Sequence, residues 1–488
     1  MRSAPRFPRR RTLGAALLCL SASGLNTALA QDKPKAIQQR DNAASLTLNL
    51  LCNARFVSGR QTDDVIRDDF HVFPGAQAIW KSAELTVDAT QGRMTVRLPA
   101  TATTPGFEQT SVYTAGYGCT LLPAGVAKVS TPAVPASPPP RAAPLEKARL
   151  SAEQQKAVDA ALDFAFQEPT DWRLGTRGVV VLQNGRLVAE RYSPGISADT
   201  RLVSWSMAKS ITATLLGVYT KTQPLDLNAP APIPAWQQAG DPRAKIRTID
   251  LLQMASGLAF PRPTQEGKGL LTDMDYQSSV YFKPQDTEKL AQSPELKDPP
   301  GTRFDYKNSD PLALGSVMRR GLTALGVDYL AWPKRALFDP VGAHGAVMNV
   351  DAWGNFINSG MVFATAQDFA RIGQLWLNDG RWGQAQLLPA GWVGKMTAPS
   401  PASAAYGGLV WLNTQGAYPN VPRDAYAFAG AFGQRVMVVP SRGLVVARLG
   451  SSDRAFDDVP AAQSATGEPR DFPSHFDRVV MRLLAALP

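Results

Sequence analysis

Between Val129 and Pro144 the chain reads VSTPAVPASPPPRAAP, with proline at 132, 135, 138, 139, 140 and 144. Proline offers no backbone N–H and fixes φ, so neither a helix interior nor a central strand can pass through such a stretch. It reads as an extended, semi-rigid linker that divides the chain into two folding regions. At 488 residues the chain is also too long for one compact core. The expected organisation is a leader at 1–30, an N-terminal region at 31–128, a linker at 129–146 and a larger domain at 147–488.

The first thirty residues combine an arginine cluster, the modestly apolar run Leu13 to Leu20, and Ala28-Leu29-Ala30 ahead of Gln31. These are the charged, apolar and cleavage regions of a secretory signal. Arg9-Arg10-Arg11-Thr12-Leu13 resembles a twin-arginine export signal, and the same arginines also suit the Sec route. The sequence therefore points to a soluble protein, periplasmic or secreted, with no transmembrane segment after the leader. Removing the five arginines of residues 1–30 takes the net charge from +10 to +5, with no clustered basic stripe. That pattern speaks against a nucleic-acid partner.

Cys19 falls in the leader, where the large Leu18 before it argues against a lipoprotein site. Cys52 and Cys119 remain, and in an oxidising compartment such a pair reads as one disulfide, the alternative being two buried thiols. His71, His344 and His475 are too scattered for a metal site, and no cofactor is called for.

Residues 45–125 read as β-rich, with a hairpin from Glu84 to Leu98 around Thr90-Gln91-Gly92. Beyond the linker, a helical pattern runs from Ser151 to Phe166, followed by two strands turning at Asn184-Gly185, a favoured type I′ dipeptide. Helical signals then dominate from Ser204 to about Leu388, including a capping box at Thr365 to Asp368. Strand patterns return at Gly407 to Leu412, Gln434 to Val439 and Gly443 to Leu449, before a last helix at Phe476 to Leu487. Strands at both ends with helices between them predict an α+β fold: an antiparallel sheet flanked by terminal helices, plus a helical lobe. A cleft between sheet and lobe is the natural binding place.

Within SWSMAKS (204–210), Ser206 and Lys209 share one face of a helix whose Met207, Ile211, Leu215 and Val218 form an apolar stripe. Burial lowers a lysine pKa and leaves an amine able to accept a proton, so Ser206 becomes a candidate activated nucleophile. The plainer alternative has Ser206 capping the helix and Lys209 reaching solvent. No other Ser-x-x-Lys occurs in the chain. A hundred residues on, Tyr306-Lys307-Asn308 offers a phenol to pass a proton and an amide to hold the lysine. A second Tyr-x-Asn at Tyr418 to Asn420 reads as a turn. Trp205 and Tyr281 read as ordinary packing residues, the alternative being that they shape the pocket. A Ser-His-Asp site is disfavoured, since no Gly-x-Ser-x-Gly occurs and His344 reads as a loop residue.

Ser206-x-x-Lys209, Tyr306-x-Asn308 and the stretch FAGAFGQRVMVVP, in this order, resemble the serine β-lactamase-like hydrolases over residues 150 to 488. The likeness is to the group of class C β-lactamases, D-alanyl-D-alanine carboxypeptidases, esterases and 6-aminohexanoate-dimer hydrolases. It implies a β-lactamase/transpeptidase-like fold in which Ser206 forms an acyl-enzyme, Lys209 and Tyr306 share the acid/base work and Asn308 orients them. It also implies an oxyanion hole from the backbone N–H groups of Ser206 and Ala431, substrate contacts at Gly430 and Gln434, and a small-molecule partner. Family members carry Lys-Thr-Gly or His-Thr-Gly where this chain has Phe428-Ala429-Gly430, so the usual cation is missing unless Arg435 or Gln434 replaces it. The expected substrate is an ester or small linear amide. The alternatives are a β-lactamase or D-alanyl-D-alanine carboxypeptidase, or a non-catalytic envelope binding protein.

Overall fold

The computed structural model describes residues 35–73, 75–126, 144–170, 172–259, 278–453 and 474–487. The leader at 1–30 and most of the linker at 129–146 lie outside the described residues.

The N-terminal region corrects the β-rich expectation. Three helices, α1 (Lys35–Phe56), α2 (Thr62–Asp69) and α3 (Ala76–Ser82), precede the strands β1 (Glu84–Asp88), β2 (Arg93–Leu98), β3 (Phe107–Thr114) and β4 (Gly118–Leu121). The strands form an antiparallel sheet in the order β1-β2-β3-β4, and β1 and β2 make the expected hairpin. Asp88 Oδ1 accepts from the backbone N–H groups of Thr90 and Gln91 in its turn. Every residue from Asp41 to Ala54 of α1 is buried. A helix covered on all sides carries no amphipathic stripe, and Asn42, Thr47, Asn49 and Asn53 break up its apolar run, so no helical period shows in the sequence.

Those polar residues are the joints of the region. Ser111 Oγ donates to Asn49 Oδ1 at 3.0 Å, and the Asn53 and Asn349 amides exchange two hydrogen bonds of 3.0 Å. Cys52 and Cys119 form a disulfide that ties α1 to β4. Gly118, at φ +69°, is required here, because a Cβ would run into Asn349 Nδ2. Leu46, Leu50, Phe70 and Phe73 of this region share one apolar core with Trp205, Met207 and Phe432 of the larger domain. The two regions therefore pack as one body despite the linker between them.

In the larger domain α4 (Ala152–Phe166) starts at a capping box of Ser151 and Gln154. The hairpin β5 (Thr176–Gln183) and β6 (Arg186–Tyr192) turns at Asn184 and Gly185, both at positive φ. After β7 (Leu202–Val203) come α5 (Met207–Thr222), α6 (Thr248–Leu252), α7 (Thr287–Gln292) and α8 (Ser309–Ala324). Next are β8 (Val347–Met348), β9 (Val362–Ala364) and α9 (Ala366–Leu377), whose capping box is Thr365 and Asp368. A small hairpin of β10 (Arg381–Trp382) and β11 (Ala385–Gln386) leads to α10 (Trp392–Thr397). The chain closes with β12 (Trp411–Leu412), β13 (Tyr426–Gly430), β14 (Gln434–Val439), β15 (Leu444–Gly450) and α11 (His475–Ala486). Of the strand expected at Gly407 to Leu412, only Trp411 and Leu412 pair, because Leu409 takes a left-handed φ of +58°.

An antiparallel sheet of order β12-β13-β14-β15-β5-β6 organises the domain. One face carries Val179, Val181, Met437 and Val446 against α4 and α11; the other carries Val180, Leu182, Val436 and Val445 against Phe369 and Ile372 of α9. The strict alternation is the period-2 signature of a sheet covered on both faces. A second sheet, β7-β9-β8, feeds the chain into α5.

Candidate active site

The site begins where the β7 ladder ends. Ser204 N–H donates to Val362 O at 2.7 Å, while Ser204 Oγ accepts from Val362 N–H at 3.1 Å. Trp205 then takes φ +44° and turns the chain into α5. Ser206 stands at the N-cap of α5, but its side chain makes no capping bond, which leaves Oγ for other work. Ser206 is half-buried, not sealed from solvent.

Lys209 does not reach solvent; it is 1 % exposed. Its Nζ lies 3.0 Å from Ser206 Oγ, 2.7 Å from Asn308 Oδ1 and 3.0 Å from Ser359 O. Burial lowers its pKa from 10.5 to about 7. The two carbonyl oxygens are acceptors only and therefore take the two hydrogens of the neutral amine. The charged form donates from Nζ to Ser206 Oγ, whereas loss of that proton leaves the lone pair for the Ser206 hydroxyl, the orientation a general base needs.

Tyr306 is half-buried, and its phenol interacts with the Ser206 side chain. Burial pushes its phenol up, against the Ser206 interaction and the Arg435 charge, which both pull it down. Its ring lies 4.9 Å from Lys209 Nζ and is held by Trp411 at 5.3 Å and Tyr406 at 6.0 Å. Asn308 is the N-cap of α8 and, like Ser206, makes no capping bond with its side chain.

β13 ends against Ser206. A Cβ on Gly430 would run into Ser204 O and come within 3.1 Å of Ser206 N, so only glycine allows this approach. Ala431, half-buried, follows directly on this approach.

Gln434 departs from the expected substrate contact. Its Oε1 accepts from Gly450 N–H at 3.0 Å and its Nε2 donates to the Ala431 and Phe432 carbonyls at 3.2 Å. Strand alternation sets it on the face of Val436 and Val438, where it ties the β13–β14 turn to β15. Arg435, 1 % exposed, donates from Nη1 to Gly430 O at 2.8 Å and Gln434 O at 2.7 Å. It thus supplies a positive charge near Tyr306 while bracing the same turn. Asn420 donates to Asp477 at the start of α11, and His344 pairs with Asp339 at 3.1 Å, so neither joins the site.

Two participants had no local signal in the sequence. The Ser359 carbonyl comes from a loop, and the Tyr281 hydroxyl lies 3.3 Å from Asn308 Oδ1, 3.1 Å from Ser359 O and 3.2 Å from Ser359 Oγ. Tyr281 therefore touches both carbonyl oxygens that hold Lys209, beyond the packing part expected of it.

A serine hydroxyl with a buried amine on one side and a phenol on the other, set where an antiparallel sheet meets a helical lobe, is the arrangement of serine hydrolases of the β-lactamase fold. The Beta-lactamase family model matches residues 157–466, well over half of the chain, and the chain belongs to that family. It is related to the 6-aminohexanoate-dimer hydrolase of Paenarthrobacter ureafaciens, with 24% identity over 344 residues, covering 68% of this chain and 83% of that one. A Bacillus anthracis structure provisionally named a 6-aminohexanoate-dimer hydrolase superposes with a TM-score of 0.54 at 20% identity, covering 71% of this chain and 89% of that one. A family VIII carboxylesterase gives a TM-score of 0.50 at 16% identity, covering 70% and 99%. The structural likenesses establish the fold.

Proposed function

We propose that the protein is an exported serine hydrolase that opens an ester or a small linear amide through an acyl-enzyme on Ser206. The observation that carries this reading is the buried Lys209, held by two carbonyl oxygens with its nitrogen against Ser206 Oγ. In this mechanism Ser206 Oγ bonds to the substrate carbonyl carbon and its proton passes to Lys209. The oxyanion is met by the N–H groups of Ser206 and Ala431. Collapse breaks the bond to the leaving oxygen or nitrogen, which takes a proton through Tyr306. Water, deprotonated by the same pair, then attacks the acyl carbon and returns Ser206 to its hydroxyl form.

The substrate class rests on two supports. The relative named for 6-aminohexanoate-dimer hydrolysis favours a linear amide, and the carboxylesterase fold neighbour makes an ester reasonable. The Phe428-Ala429-Gly430 positions carry no cation, and Arg435 Nη1 is engaged by backbone carbonyls, which disfavours substrates held by a carboxylate. Export is supported by the leader pattern at 1–30 and by the Cys52–Cys119 disulfide.

The test is a substrate panel on purified protein: p-nitrophenyl acetate and butyrate, the linear dimer of 6-aminohexanoate, a chromogenic cephalosporin, and a D-alanyl-D-alanine peptide. Turnover of esters or the linear dimer above the other two supports the reading. Preference for the cephalosporin or the peptide overturns the substrate class, and a folded protein that turns over none of the four points to a binding protein.

A further inference from the structure

Two residues that frame the catalytic backbone are left-handed without being glycine: Trp205, before the nucleophile, at φ +44°, and Phe432, after Ala431, at φ +61°. L-residues adopt this region reluctantly and stay in it only where their surroundings hold them. Trp205 turns β7 into α5, and Phe432 turns β13 into β14, so the two turns together aim the N–H groups of Ser206 and Ala431. Their rings meet edge to face at 5.3 Å.

A third ring completes the cluster from outside the catalytic domain. Phe73, 4 % exposed, stands 5.2 Å from Phe432, edge to face, and 6.1 Å from Trp205. It lies in the N-terminal region, before the residues that match the family. Its own position is fixed. Phe73 N–H donates to Phe70 O at 3.1 Å, and the neighbouring chain is anchored by Arg177 to Asp69 at 2.9 Å and by His71 Nε2 to Ser451 O at 2.9 Å. A cavity of about 60 Å³ borders Phe73, Trp205, Phe432 and Gln434, so the rings have room to relax once one is removed.

We infer that residues 35–126 act as an intramolecular clamp on the oxyanion hole, with Phe73 as the positioning residue that holds Trp205 and Phe432 in their left-handed turns. This rests on the Ser206 acyl-enzyme reading, and it gives the N-terminal region a part in catalysis without contact with the substrate. Losing the clamp lets the two N–H groups drift from the geometry the tetrahedral oxyanion needs, an effect on the rate of acylation rather than on substrate binding.

The test compares full-length wild type with Phe73→Ala and the milder Phe73→Leu, which keeps the core filled should the alanine variant fail to fold. Three readouts are taken: kcat and KM on p-nitrophenyl butyrate, the rate of phosphonylation by a fluorophosphonate, and hydrogen exchange by mass spectrometry. For folded Phe73→Ala, kcat and phosphonylation should fall about 10- to 100-fold with KM within about threefold, and the leucine variant should lie between. Exchange should rise in peptides spanning 203–208 and 429–434 but not in α4 or α11. Wild-type exchange and kcat in folded variants, or a lowered Tm with kcat intact, would overturn the clamp. A wild type inert to both probe and ester would instead overturn the acyl-enzyme reading, and the exchange data would still decide whether Phe73 holds the two turns.

Discussion

Lys209 sits where the chemistry and the cost of burial meet. With its pKa lowered to about 7, the amine is charged in acid and neutral in mild alkali. The acylation rate should therefore rise with pH through an apparent pKa near 7, measured as kcat/KM on a p-nitrophenyl ester. Lys209→Met should cost about 10²- to 10⁴-fold and abolish that limb. Stability runs in a matching direction. The unfolded lysine keeps its proton up to about 10.5 and the folded one loses it near 7, so the cost of burying it is complete below pH 7 and fades as pH rises toward 10.5. The gain in Tm of Lys209→Met over wild type should accordingly be larger at pH 6 than at pH 9.5. Ser206, Lys209, Tyr306 and Asn308 stood out in the sequence because a serine and lysine three apart on an apolar helix need a reason. The Ser359 carbonyl and the Tyr281 hydroxyl did not, because a backbone oxygen has no residue signature and Tyr281 is brought in by tertiary packing. Gln434 was expected at the substrate, but its amide is taken up by the Ala431, Phe432 and Gly450 backbone, tertiary contacts that leave no mark in the sequence.

Among the elements, those written in local chemistry were visible beforehand: the Asn184-Gly185 hairpin, and α4 and α9 with their capping boxes. α1 was not, since its burial on every side erases the period that marks a surface helix. The end of β13 is the element on which the site most depends. A methyl group at position 430 meets backbone rather than a flexible side chain, so Gly430→Ala must push β13 away from Ser206. We expect a loss of about 1–3 kcal/mol in stability, as in other overpacked sites, together with a fall in phosphonylation rate larger than that loss explains. Urea titration and labelling kinetics on the same samples measure both.

Taken as a whole, the molecule departs from the division suggested by its prolines. The linker marks a change of region, yet the Asn53–Asn349 amide pair and the shared core join residues almost three hundred positions apart, and such contacts leave no trace in composition. The disulfide closes a separation of 67 residues, for which the chain-entropy model gives about 4 kcal/mol. Cys52→Ser with Cys119→Ser should lower the unfolding free energy by about that amount in urea, with a single transition for the whole protein. Two separate transitions would mean that the regions fold independently.

The proposed chemistry stands on Ser206 as the nucleophile. Intact-mass spectrometry after exposure to a fluorophosphonate, followed by peptide mapping, tests it most directly on wild type and Ser206→Ala. One phosphonyl group per chain is expected, mapped to Ser206 and absent from the variant. A folded wild type that stays unmodified, or a label that persists at another residue in Ser206→Ala, would contradict it.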